Sequence, residues 1–148
     1  MKNVYLAGKS VYLRSPEEKD VYGDWYQWFS DQEITEFLNQ YLPNSIEKQK
    51  KFYEQTKNSE NKLVLSICDK KNDKHIGVCG LDSINWINRS ANLSIIIGDK
   101  RYQKGPYAIE AFSLLIECAF INLNLKNLRS YFNEKNIKSE KLHKLFKF

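Results

Sequence analysis

The sequence predicts an α+β fold, and three observations carry it. Helical periodicity dominates residues 15–57, strand-like alternation dominates residues 63–97, and an amphipathic segment from Pro106 precedes a last strand and helix. With 148 residues and 42% hydrophobic side chains, the chain can build one packed core. No repeat, low-complexity segment or linker interrupts it, so a single domain over residues 1–148 is expected.

"SVYLRSP" alternates ahead of a proline and predicts a first strand near residues 10–14. In "SPEEKDVYGDWYQWF", Ser15 is expected as N-cap, Pro16 at the first helical position and Glu18 three residues after the cap. Val21, Trp25, Trp28 and Phe29 share one helical stripe there, a spacing that suits core packing. "SDQEITEFLNQ" predicts a short helix opened by Ser30 or Asp31, and "PNSIEKQKKFYEQTKNS" a third helix capped by Ser45. "NKLVLSICDK" and "HIGVCGLDSINW" flank the turn "KNDKH" and predict a hairpin over residues 63–85. After the turn "INRS" comes the strand "ANLSIIIGDK". The long helix "PYAIEAFSLLIECAFINLNL" follows, with Ala108, Phe112, Leu115, Ala119 and Leu123 on one face. "KNLRSYFN" is a further strand and "NIKSEKLHKLFKF" a final helix.

Composition narrows the function classes. Lys and Arg total 23 against 18 acids, a net +5, but the lysines are scattered and not set among aromatics. A solvated surface follows, and no nucleic-acid partner is expected. The apolar runs "SIIIG" and "AFSLLIECAFI" are too short or interrupted to span a bilayer, and "MKNVYLAGKSVYLR" has no signal-peptide core. A cytoplasmic protein without a membrane partner is expected. Cys68, Cys79 and Cys118 sit among apolar neighbours and are expected as buried, reduced thiols. Beside only His75 and His143 they form no metal-ligand spacing, so no metal is expected.

The stretch "IIIGDKRYQKGPYAIEA" carries the chemistry. A β-branched run stops at Gly98, a turn holds Gln103, Lys104 and Gly105, and a helix opens at Pro106. A helix N-terminus offers unpaired amides and the positive end of a dipole, which suits an anion. The full order of elements, with "QKGPYA" at residues 103–108 and "NEKNIKSEKLHKLFKF" after the last strand, resembles the GNAT superfamily of N-acetyltransferases. The segments "YLRSPEEKDVYGDWYQWFSDQEIT" and "IGVCGLDSINWINRSANLSIIIGDK" look like the branch with ribosomal-protein alanine and spermidine acetyltransferases. The resemblance implies a mixed, mostly antiparallel central sheet flanked by helices, and acetyl-coenzyme A (acetyl-CoA) as cosubstrate. It implies that Gln103, Lys104, Gly105, Tyr107 and Ala108 hold the pyrophosphate. Ile96 and Ile97 would offer backbone to the pantetheine arm and the developing oxyanion, and Asn136 would contact the cosubstrate near the reaction centre.

Four departures from the family pattern sharpen the expectation. Pro106 stands at the central glycine of the loop and has no N–H to donate. His143 replaces the tyrosine that protonates the departing thiolate; it is either that acid or a surface histidine on a lysine-rich helix. Asn92 stands where relatives carry a glutamate, which leaves Asp82 as the nearest candidate base. The family's C-terminal hairpin is missing after Phe148, which leaves the last strand as an open edge and makes a homodimer an expectation. The resemblance implies an acetyl-CoA-dependent N-acetyltransferase acting by direct transfer to a small primary amine such as an amino sugar. A protein N-terminal amine is the alternative acceptor. A non-catalytic acyl-CoA-binding relative that acts through a partner is the alternative function.

Overall fold

In a computed structural model, every residue except Asn39 and Tyr41 is described. Six strands pair in chain order: β1 (Val4–Ala7), β2 (Val11–Arg14), β3 (Leu63–Asp69), β4 (His75–Asn85), β5 (Ser90–Ile97) and β6 (Asn127–Ser130). Every neighbouring pair is antiparallel except β5–β6, which is parallel. The expected mixed, mostly antiparallel sheet flanked by helices is therefore observed.

The segment after β2 departs from the expected helix. Arg14 grips Asp20 through both terminal nitrogens, at 2.7 and 2.8 Å, and also donates to the Ser15 carbonyl. The cap consequently falls at Glu17, whose N–H donates to Asp20. Helix α1 (Glu18–Asp20) passes into a π turn, Val21–Trp25, and then into α2 (Tyr26–Trp28). Gly23, with φ −86° and ψ −141°, breaks the run.

Asp31 opens α3 (Gln32–Thr35) by accepting from Glu33 N–H. The helix expected over residues 30–40 stops at Thr35, residues 36–38 are in a turn and bend, and Asn39 lies outside the described residues. Ser45 caps α4 (Ile46–Lys57) as expected. On the other face of the sheet, α5 (Tyr107–Glu117) runs into a π turn, Cys118–Asn122, and α6 (Ile137–Leu145) closes the chain.

The main core lies between the sheet and α5, where Val11, Leu13, Leu65, Leu81, Leu93, Phe112 and Leu115 are buried. A second cluster, Trp25, Trp28 and Val78, fills the opposite face under the α1–α4 segment. All three cysteines are buried and free. Among the described residues no group of three His, Cys, Asp or Glu could hold a metal, and no helix is long and apolar enough to cross a membrane.

Candidate functional site

The parallel pairing of β5 with β6 ends at Leu93 and Ser130, while β5 runs on to Ile97. The two strands thus part and leave an open edge on β5. Which amides face it follows from the ladder to β4. Gly98 N–H donates to the Ile76 carbonyl at 3.0 Å, and antiparallel bonding alternates from there. The backbone groups of Ser94 and Ile96 therefore point at β4, and those of Leu93, Ile95 and Ile97 point at the open edge. Two side chains confirm the phase: Ser130 Oγ donates to the Leu93 carbonyl and Gln103 Nε2 to the Ile97 carbonyl, each at 3.1 Å. Of the two residues singled out in the sequence, Ile97 has its N–H at the fork and Ile96 does not. Ile95, which the sequence reading passed over, joins Ile97.

The expected anion loop lies at the far end of this edge. A 3-10 turn, Lys100–Tyr102, leads to Gln103, and α5 begins at Tyr107. Gly105 has φ +107°, a conformation that costs a side-chain-bearing residue about 1 kcal/mol or more. No hydrogen bond among the described residues engages the N–H of Tyr107, Ala108 or Ile109, while Glu110 N–H already bonds the Pro106 carbonyl. Lys104 is exposed beside them. Lys138 Nζ, from α6, reaches Gln103 Oε1 at 3.4 Å and ties the two segments together. Asn136 is the N-cap of α6: its Oδ1 accepts from Ser139 N–H at 3.1 Å.

His143 is no surface residue. It is 3% exposed and lies among the rings of Phe112, Phe132 and Phe148. Its Nδ1 sits 2.6 Å from the Ser139 carbonyl, which can only accept, so Nδ1 carries a proton. Its Nε2 lies 2.5 Å from Ser130 Oγ. Ser130 is half-buried at the fork, so the histidine communicates with the cleft through this hydroxyl. Nothing in the sequence marked Ser130; only the strand pairing brings it to the fork.

Asp82 stands directly across from Asn92 in the β4–β5 register. Its Oδ1 accepts from Asn92 Nδ2 at 3.2 Å and from Ser83 Oγ at 2.9 Å. A carboxylate thus stands beside position 92, on the neighbouring strand. Asp82 edges a cavity of about 190 Å³ between the sheet and the α1–α4 segment. Val64, Val78 and Ile96 floor it, and Trp25, Phe29 and Phe52 wall it. Trp25 and Trp28 are core residues, as their spacing suggests, and Trp25 also lines this cavity.

Residues 10–148 match the family model described as Acetyltransferase (GNAT) domain. A protein of Bacillus licheniformis described as uncharacterized N-acetyltransferase p20 is 28% identical over 149 positions, covering 96% of this chain and 79% of that protein. The crystal structure of spermidine N-acetyltransferase from Vibrio cholerae with CoA and spermine superposes with a TM-score of 0.85 at 21% identity, over 93% of this chain and 80% of that one. A GNAT-family acetyltransferase from Bacillus anthracis gives 0.81 at 13% identity, over 94% and 80%. At these identities the structures establish a shared fold.

Proposed function

The chain belongs to the GNAT acetyltransferase family, which uses acetyl-CoA as cosubstrate, and on that premise we propose direct acetyl transfer to a small-molecule primary amine by one domain spanning residues 1–148. The observation that carries this reading is the fork itself: free β5 amides at one end and unpaired α5 amides at the other. Tyr107 and Ala108 would donate N–H groups to the pyrophosphate, Gly105 lets the backbone approach, and Gln103 and Lys104 flank it. Asn136 keeps its Nδ2 for the cosubstrate while its oxygen caps α6.

At the reacting centre, one amide of the open edge, Ile95 or Ile97 N–H, would stabilise the developing oxyanion. As the amine nitrogen bonds to the acetyl carbon, Asp82 or a water it holds takes the amine proton. As the carbon–sulfur bond breaks, Ser130 gives its hydroxyl proton to the sulfur and His143 Nε2–H replaces it.

The polyhydroxylated ring of an amino sugar would meet few partners in the cavity beside Asp82. The outer edge of β6 is paired by no other strand, and a homodimer through it rests on that edge alone; sedimentation of the chain decides it. Calorimetric titration with acetyl-CoA and with free CoA tests the central claim. Micromolar binding of both is expected, and binding of neither would remove the enzyme. Binding without thiol release from any amine would favour the non-catalytic alternative, to which Pro106, with no N–H in the loop, already points.

A further inference from the structure

We infer that the acceptor is a primary monoamine on a compact apolar body about the size of one aromatic ring, a refinement that rests on the acetyl-transfer reading above. The strand register grades the cavity from a polar end to an apolar end. Extending the pairing of Leu63 with Leu81 by one residue places Lys62 opposite Asp82, which itself faces Asn92. These three form a polar row across the sheet. Two residues further along come Val64, Gly80 and Ser94, and two further again Val78 and Ile96. Gly80, with no side chain, leaves the hollow between the rows.

The fork coincides with the polar end. Pairing of β5 with β6 stops at Leu93, so the edge opens at Ser94, the residue bordering the Asp82 row. An amine held by Asp82 would sit where an acetyl group on the open edge can be reached, with its body on the apolar floor. Asp82 is suited to that hold. Its Oδ1 accepts from Ser83 and Asn92, while no hydrogen bond among the described residues engages Oδ2.

Size and charge select the body. The cavity is about 190 Å³, somewhat larger than the roughly 150 Å³ apolar cavity that accommodates benzene. One ring and a short arm fit. A polyamine needs a carboxylate for each ammonium, yet Asp82 is the single acid of this lining. Lys62 Nζ, 5.4 Å from the Phe52 ring centroid, would repel a second positive charge. In the more polar hollow beside Gly98, Asp31 is paired with Lys100 and Asp99 with Arg101. That leaves Asp24 as the one carboxylate of that lining without an ion pair among the described residues, too few for the several charges of a polyamine. A sugar would leave hydroxyls against Val64, Val78 and Ile96 without partners, and buried polar groups tolerate that poorly.

The test measures CoA release from acetyl-CoA with 2-phenylethylamine, glucosamine, spermidine and an alanine-led peptide as acceptors. The expected result is a kcat/KM for 2-phenylethylamine at least tenfold above each of the others. Asp82→Asn should raise the KM for that amine at least tenfold and leave acetyl-CoA binding, measured by titration, unchanged. Lys62→Ala should raise kcat/KM for spermidine several-fold by removing the repulsion. A higher kcat/KM for spermidine, glucosamine or the peptide overturns the acceptor class while leaving acetyl transfer intact. Indifference of the amine KM to Asp82→Asn does the same, and release with none of the four amines in a protein that binds acetyl-CoA overturns the acceptor class and favours the non-catalytic alternative. Failure to bind acetyl-CoA overturns the underlying reading instead.

Discussion

A single hydroxyl decides what His143 can do. Buried behind three phenylalanine rings, the imidazole can pass a proton outward only through Ser130 Oγ, 2.5 Å away. Ser130→Ala should therefore lower kcat about 100-fold, the lower range for a lost general acid, with the KM for acetyl-CoA little changed. Ser130→Thr, which keeps a hydroxyl, should recover most of the rate. A rate within twofold of the parent would mean that the thiolate leaves without help from this pair. The sequence displayed His143 through its place in a family pattern. It could not display Ser130, because an isolated serine in "NLRSYF" has no periodic or motif signature, and its role arises from a register set 37 residues away in sequence, at Leu93.

Among the elements, β1 is the clearest omission of the sequence reading. "VYLA" is four residues long and mostly exposed, so it lacks the alternation that marks a half-buried strand. A helix holds it in place. Glu110 on α5 accepts from the backbone N–H groups of Lys9, Ser10 and Val11, with the latter two at 2.8 and 2.9 Å, and so ties the β1–β2 turn to the start of α5. The turn is shaped to this carboxylate: a Cβ on Gly8 would lie 2.7 Å from Glu110 Cδ. Glu110→Ala should cost about 2 kcal/mol, since it strands donors that bonded a charged acceptor, and Glu110→Gln about half of that. Urea unfolding checks this, and an unchanged midpoint for Glu110→Ala would show the turn to be held otherwise. The choice between Ile96 and Ile97 also belongs to this scale. A strand's composition cannot give its hydrogen-bonding phase, which was fixed by one contact from Gly98 to Ile76.

For the molecule as a whole, a buried polar knot joins the helical segment to the sheet and sets the response to acid. Ser66 Oγ donates to Asp20, which Arg14 also holds, and His75 Nδ1 lies 3.5 Å from the same carboxylate. His75 packs between Trp25 and Trp28, and its Nε2 finds no partner among the described residues. Burial lowers its pKa, against the pull of Asp20. Burial opposes ionisation of Asp20 too, but the Arg14 hydrogen bond and the neighbouring positive charge prevail, and its pKa is lowered. Both groups are depressed in the fold, so both contribute stability above their unfolded values that is lost on acidification. For His75 the loss begins near pH ~6.5, and for Asp20 near pH ~4. Urea midpoints should be level above pH ~7 and decline below it in two stages, and His75→Gln should abolish the first stage. A midpoint unaffected by pH between ~7 and ~5 in the parent would contradict a buried neutral His75.

The sequence by itself determined most of the elements and their order, β1 excepted, and marked the loop from Gln103 to Ala108 as a candidate anion site. Those properties are local, resting on periodicity, caps and one glycine. The tertiary structure decided which side chains meet: Asp82 with Asn92, Ser130 with His143, and the aromatic wall of Trp25, Phe29 and Phe52 over the floor of Val78 and Ile96. It also decided that β5 outruns β6 and leaves amides unpaired. These depend on strand register and on where pairing stops, and a shift of one residue would turn the strand residues among them to the opposite face.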